Sequence, residues 1–156
     1  MSYAIAGLDP APFKRFYGLS EAALATGQVV RMTADSRPGF PCRVTLEDAE
    51  PGEALLLLNY EHLPDASPYR SRHAIFVREG AETPALYIDE IPEQLATRLL
   101  SVRAFDRYAM MTNADVVEGN GLEPLIETMF TDPAAAFLHV HNAKRGCFAA
   151  RVDRFG

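Results

Sequence analysis

The sequence predicts an α+β fold: a single domain over residues 1–156, a mainly antiparallel sheet, a few short helices and a C-terminal β-hairpin. Three observations carry this expectation. Short apolar or alternating segments recur between turns rich in Gly, Pro, Asp and Asn, the pattern of many short strands. Helical patterning is scattered, and only Leu122 to Phe130 carries a full apolar stripe, formed by Leu122, Leu125, Ile126, Met129 and Phe130. No Gly-rich phosphate loop follows any strand-like segment, which argues against a nucleotide-binding α/β architecture.

In chain order, Ser2 to Leu8 is weakly strand-like, and Asp9-Pro10 reads as the cap and first residue of a short helix with Phe13, Phe16 and Tyr17 on one face. Ser20 caps a second helix that Gly27 ends, and Gln28 to Ala34 is a strand. Asp35 to Gly39 is a loop. Pro41 to Leu46 then reads as a short strand with Cys42, Val44 and Leu46 on one face and Arg43 and Thr45 on the other. Ala54 to Leu58 reads as a strand buried on both faces, followed by a long loop from Glu61 to Arg72. His73 to Val77 and Pro84 to Asp89 are strands. Pro92 to Arg98 opens a helix that gives way to a strand ending at Phe105, and Tyr108 to Val117 is a further strand bulged at Asn113-Ala114. The Leu122 to Phe130 helix stops at Asp132-Pro133.

Chemistry concentrates in the closing hairpin. Phe137-Leu138-His139-Val140-His141 reads as a strand, so His139 and His141 project from the same face and are candidate ligands for one divalent metal such as zinc. Zinc takes three or four protein ligands, and Cys147, Cys42 or His73 are the further candidates. A four-residue loop over 143–146 pairs Asn142 with Cys147 and turns the sulfur away from the histidines. A five-residue loop over 142–146 sets His141 opposite Cys147 and Arg151 opposite Phe137. The sequence leaves both registers open. Cys42 beside Arg43 is a candidate nucleophile, with His141 as base and Cys147 as the second candidate thiol. The competing reading of Cys42 is a small apolar core residue. Arg43, Arg103 and Arg151, with Tyr69, are candidates for holding a small anionic ligand, since a guanidinium binds carboxylate or phosphate bidentately. Internal ion pairs with the 21 acidic residues are the simpler account of most arginines.

A chain of 156 residues can bury a sizeable core without staples. Its net charge of −6 argues against sequence-independent nucleic-acid binding, which needs a basic surface. The N-terminus lacks a basic segment followed by an apolar run, and the longest aliphatic run, Ala54 to Leu58, is too short to cross a bilayer. Two cysteines without an export signal point to reduced thiols in the cytoplasm.

Pro41-Cys42-Arg43, then Pro68-Tyr69-Arg70 with Ile75-Phe76, then His141-Asn142 with Gly146-Cys147 together carry a resemblance. In these segments the chain resembles the bacterial family of small proteins catalogued as domain of unknown function 1203. The resemblance implies a single-domain cytoplasmic bacterial protein over nearly the whole chain, and it brings no activity, cofactor or catalytic residue with it. The residues themselves support a small-molecule or metal-binding protein, with an enzyme as one form of it. The alternative is a non-catalytic interaction or scaffold protein whose histidines and cysteines are structural.

Overall fold

Two antiparallel sheets meet along one seam in the structure, a computed structural model that describes all 156 residues. The strands are β1 (Ser2–Ala6), β2 (Val30–Thr33), β3 (Ala54–Leu63), β4 (Ser71–Arg78), β5 (Leu86–Ile88), β6 (Leu99–Phe105), β7 (Met111–Glu118), β8 (Phe137–Asn142) and β9 (Phe148–Phe155). The helices are α1 (Glu21–Thr26), α2 (Glu93–Ala96) and α3 (Leu122–Met129). The larger sheet runs β5-β1-β9-β8-β6-β7 and the smaller one β2-β3-β4. The expected α+β class, the mainly antiparallel pairing and the C-terminal hairpin are all present. No helix is long and apolar enough to cross a membrane.

Strand alternation gives the larger sheet two different faces. Leu100, Val102 and Ala104 of β6, Leu138 and Val140 of β8, and Val152 of β9 point to one face and are buried against Leu122, Ile126 and Met129 of α3. Leu125 sits at the margin of that contact. Pro124 falls in the first turn of α3, where a missing N–H costs no helical bond. The other face of the same strands carries Ser101, Arg103 and Phe105 on β6, paired with His141, His139 and Phe137 on β8. The smaller sheet packs on that face. Its own inward residues, Leu56 and Leu58 on β3 with Ile75 and Val77 on β4, form a second core with Phe13, Leu24 and Val44.

Several local expectations are corrected. The helix expected after Asp9-Pro10 shrinks to one 3-10 turn at Lys14–Phe16, although Phe13 is buried in the second core and Phe16 and Tyr17 pack against it. Ser20 does cap α1, its Oγ accepting from Ala23 N–H at 3.2 Å, and Gly27 ends it as expected, followed by a left-handed Gln28 at φ 58°. Residues 41–46 are a turn: Leu46 N–H donates to the Cys42 carbonyl, and Leu46 itself is left-handed at φ 54°. Arg43 therefore faces inward and is 1 % exposed, as buried as Cys42 and Val44 on either side. The loop expected over 61–72 is shorter, because β3 continues through His62 to Leu63 with a register shift after Tyr60. The bulge expected at Asn113-Ala114 lies one residue earlier, at Thr112, which the Ala104–Asn113 and Phe105–Met111 pairs leave unpaired.

Gly119 fixes the approach of the β7–α3 junction to α2: a Cβ there would collide with the Leu95 and Ala96 carbonyls. Gly119→Ala is expected to destabilise the fold by about 1–3 kcal/mol, the range of an overpacked core site, read from its urea midpoint. An unchanged midpoint would show that this junction is free to move.

Candidate functional site

All four histidines converge where the two sheets meet. β8 presents His139 and His141 from one face, as the spacing predicts, and the β3 extension brings His62 onto them. The His62 ring lies 5.0 Å from His141 and 5.5 Å from His139, and stacks on Phe148 of β9 at 5.0 Å with 7° between planes. His73 of β4 lies edge to edge with His62, its ring centroid 4.8 Å away and its plane tilted by 22°. The donor atoms of His62, His139 and His141 all lie within 4.8 Å of one another, and all three residues are buried.

His141 and His62 are each oriented by a hydrogen-bonding neighbour. His141 Nδ1 lies 3.0 Å from the Gly146 carbonyl, which only accepts, so Nδ1 carries the proton and Nε2 keeps its lone pair. His62 Nε2 is 2.7 Å from His73 Nδ1, a hydrogen bond that commits those two nitrogens to each other. His62 Nδ1 and His139 Nδ1 are buried with no hydrogen-bond partner at all. Buried polar nitrogens are rarely left orphaned, and two facing one small cluster is the pattern of a site whose partner is not a protein atom. Burial is the largest cause that pushes the histidines toward the neutral form. It lowers His62 to about 4, His139 to about 2 and His141 to about 3, with neighbouring imidazoles and Arg103 adding to the shift. Neutral imidazole is the form that ligates metal.

The hairpin register is that of the four-residue loop at the turn and departs from it beyond His141. Asn142 N–H donates to the Cys147 carbonyl, as a four-residue loop requires, and the sulfur faces away from the histidines. The same register sets Phe148 opposite His141, and a bulge at Ala149 then shifts the pairing beyond it, so that Arg151 lies opposite His139. Phe148 thereby takes the position on the histidine face that the thiol has in the other register.

The candidate residues separate accordingly. Arg103 joins the histidines, its Nη1 3.5 Å from His141 Nε2, and no carboxylate pairs with it. Burial lowers its affinity for the proton. Arg151 is exposed, lies over Phe137 at 4.1 Å and pairs with Asp153. Tyr69 packs edge-on against Phe105 at 6.0 Å, at the aromatic rim. Cys42 is fully buried in the second core, and its sulfur accepts from Arg78 N–H at 3.2 Å and Thr45 N–H at 3.5 Å. Cys147 is half-buried beside Arg43, and both thiols are free. Sequence reasoning missed His62. Its signal was the alternation Leu58, Tyr60, His62, which continues the inward face of β3 up to Pro64.

Three buried histidines with depressed proton affinity make stability depend on pH. Below about 6.5, the ordinary histidine value, the unfolded chain takes up protons that the folded chain refuses until about 4 or lower. Metal-free protein should therefore lose stability as pH falls from 6.5 toward 4. His139→Leu should reduce that slope by up to about 1.4 kcal/mol per pH unit. Urea midpoints at stepped pH in chelator check this, and equal slopes would mean that His139 is charged or solvated in the native state.

The matched segment in the comparison with known families contains all four histidines, Arg43, Arg103 and both cysteines. No curated protein and no solved structure matches the chain. The family model that does match is described as Protein of unknown function (DUF1203) and spans residues 39–154, so the chain belongs to that family.

Proposed function

We propose that the protein binds a divalent transition-metal ion of the zinc type through His62, His139 and His141, with Arg103 holding a small anionic ligand beside it. The observation that carries this reading is the convergence of three buried, neutral imidazoles whose two orphaned nitrogens have no protein partner. The donor set fits. Zinc–nitrogen bonds of about 2.0 Å place tetrahedral ligands roughly 3.3 Å apart, within reach of this cluster by small ring rotations. The Gly146 carbonyl on His141 and His73 on His62 supply the oriented partners that metal-bound histidines normally have.

Three protein ligands leave a further coordination position, the arrangement of catalytic rather than closed structural zinc sites. A metal there would polarise a bound water or carboxylate. Arg103 has no carboxylate of its own, so its guanidinium is available to an anionic group at that position. Phe105, Phe137 and Phe148 surround the rings and keep the surroundings apolar, which strengthens both interactions. Two free thiols in the same chain fit a reducing compartment such as the cytoplasm. In the second reading, the histidines are structural and the stack of His62 on Phe148 holds the sheets together without a metal.

Metal content of protein purified without affinity metal or chelator separates the two. Near-stoichiometric metal is expected in the wild type, with at least tenfold weaker binding in His62→Ala, His139→Ala and His141→Ala, and retention in His73→Ala, whose ring orients rather than ligates. A metal-free wild type that also fails to take up zinc or cobalt after reloading would overturn the metal reading and leave the structural one.

A further inference from the structure

A groove of about 1030 Å³ opens beside the seam at the hairpin tip, with His73 of β4 in its lining. Phe40 and Phe76 form part of one wall, and Lys144 and Arg145 of the β8–β9 turn stand on the other. Both of these cations are exposed, and neither has a carboxylate partner. Glu118 is the one acidic side chain in the lining, and Arg98, also in it, is already paired with Asp48 at 2.7 Å. The groove is therefore net cationic on a chain of net charge −6.

Arg43 and Cys147 share the lining of this groove. Arg43 is 1 % exposed, so its guanidinium is a charge held out of water, and such charges require an opposite partner. Its Nε donates to the Phe148 carbonyl and its Nη1 to the Pro41 carbonyl, both at 2.8 Å and both neutral. The remaining nitrogen, Nη2, donates to Cys147 Sγ at 3.1 Å, and Asn142 Nδ2 approaches the same sulfur at 3.5 Å. Among the three acceptors of Arg43, only the sulfur can carry a counter-charge. A buried arginine spent on a half-exposed thiol that also faces a cationic groove is more than structural packing demands. Aliphatic side chains would fill the same space without the desolvation cost.

We propose that this groove binds a small anionic electrophile and that Cys147 is the nucleophile it presents. Arg43 Nη2 holds the sulfur at 3.1 Å, and the thiol proton passes to solvent water as the sulfur attacks. Its electron pair forms a bond to the electrophilic carbon of the ligand while the bond from that carbon to its leaving group breaks. The leaving group departs with the bonding pair, and no oxidant or proton donor is consumed. Lys144 and Arg145 hold the ligand's anionic group at the groove mouth. His62, His139 and His141 do not line the groove, although His73, the hydrogen-bond partner of His62, does.

Iodoacetate and iodoacetamide test it, since they alkylate thiols alike and differ in charge. The ratio of their rate constants at Cys147, followed by mass spectrometry in the folded full-length protein, is expected to exceed by about tenfold the ratio for the same thiol in urea, the size of effect that a local cationic field gives. Lys144→Ala/Arg145→Ala should bring the folded ratio back toward the unfolded one, with the iodoacetamide rate little changed. Cys147→Ser should abolish the adduct, leaving sealed Cys42 unlabelled. Equal ratios in folded and unfolded protein, or a Cys147 that neither reagent labels in the folded state, would overturn the proposal.

Discussion

The stacking of His62 on Phe148 is the contact on which the rest of the arrangement depends. Phe148 reaches the histidine face because the four-residue loop pairs Asn142 with Cys147 and so sets Phe148 opposite His141, and His62 reaches Phe148 because β3 runs past the apolar end of the small sheet. With both conditions met, His62 stacks on Phe148 and hydrogen-bonds His73 across the seam, and His139 and His141 stand edge-on to the His62 ring. The same face of the larger sheet that leaves the α3 core free of polar groups thus collects every imidazole in the chain. Burying His62, His139 and His141 together, with His73 half-buried beside them, is costly if they charge, so the seam is stable only while they remain neutral. That condition is also what a metal ion needs from them.

Arg43 ties the seam from behind. Its backbone N–H donates to Phe76 of β4 and its side chain to the Phe148 carbonyl of β9, so one residue joins both sheets at the point where Phe148 must be held. The carbonyl that receives Arg43 and the ring that receives His62 belong to the same residue. Arg43 is therefore a structural clamp through two of its nitrogens and a partner of Cys147 through the third. Arg103, on the opposite side of the histidines, has no comparable set of carbonyls. Most other arginines of the strands and the 61–72 segment are accounted for by ion pairs: Arg31 with Glu21 and Glu79, Arg70 and Arg72 with Glu61, and Arg151 with Asp153.

The sheet-rich α+β class, the α3 stripe and the shared face of His139 and His141 were legible because each rests on a periodicity that the backbone imposes. What was not legible rests on departures from periodicity. Residues 41–46 alternate Cys, Arg, Val, Thr and Leu as a strand would, yet the left-handed Leu46 folds them into a turn and brings Arg43 inside. His62 was hidden because the register shift after Tyr60 buries both His62 and Leu63, erasing the alternation that would have extended β3. The sides of Cys147 and Phe148 were decided at the loop, but the placing of Arg151 was decided by a bulge that no residue in Phe148 to Val152 announces.

Nitrogen-15 NMR of the imidazole rings at neutral pH, with and without one equivalent of zinc, tests the central claim most directly. The account predicts four neutral rings without metal, with His141 protonated at Nδ1, and zinc-dependent shifts concentrated on His62, His139 and His141. Charged rings in the folded protein, or zinc shifts spread over surface carboxylates with the three histidines unmoved, would contradict it.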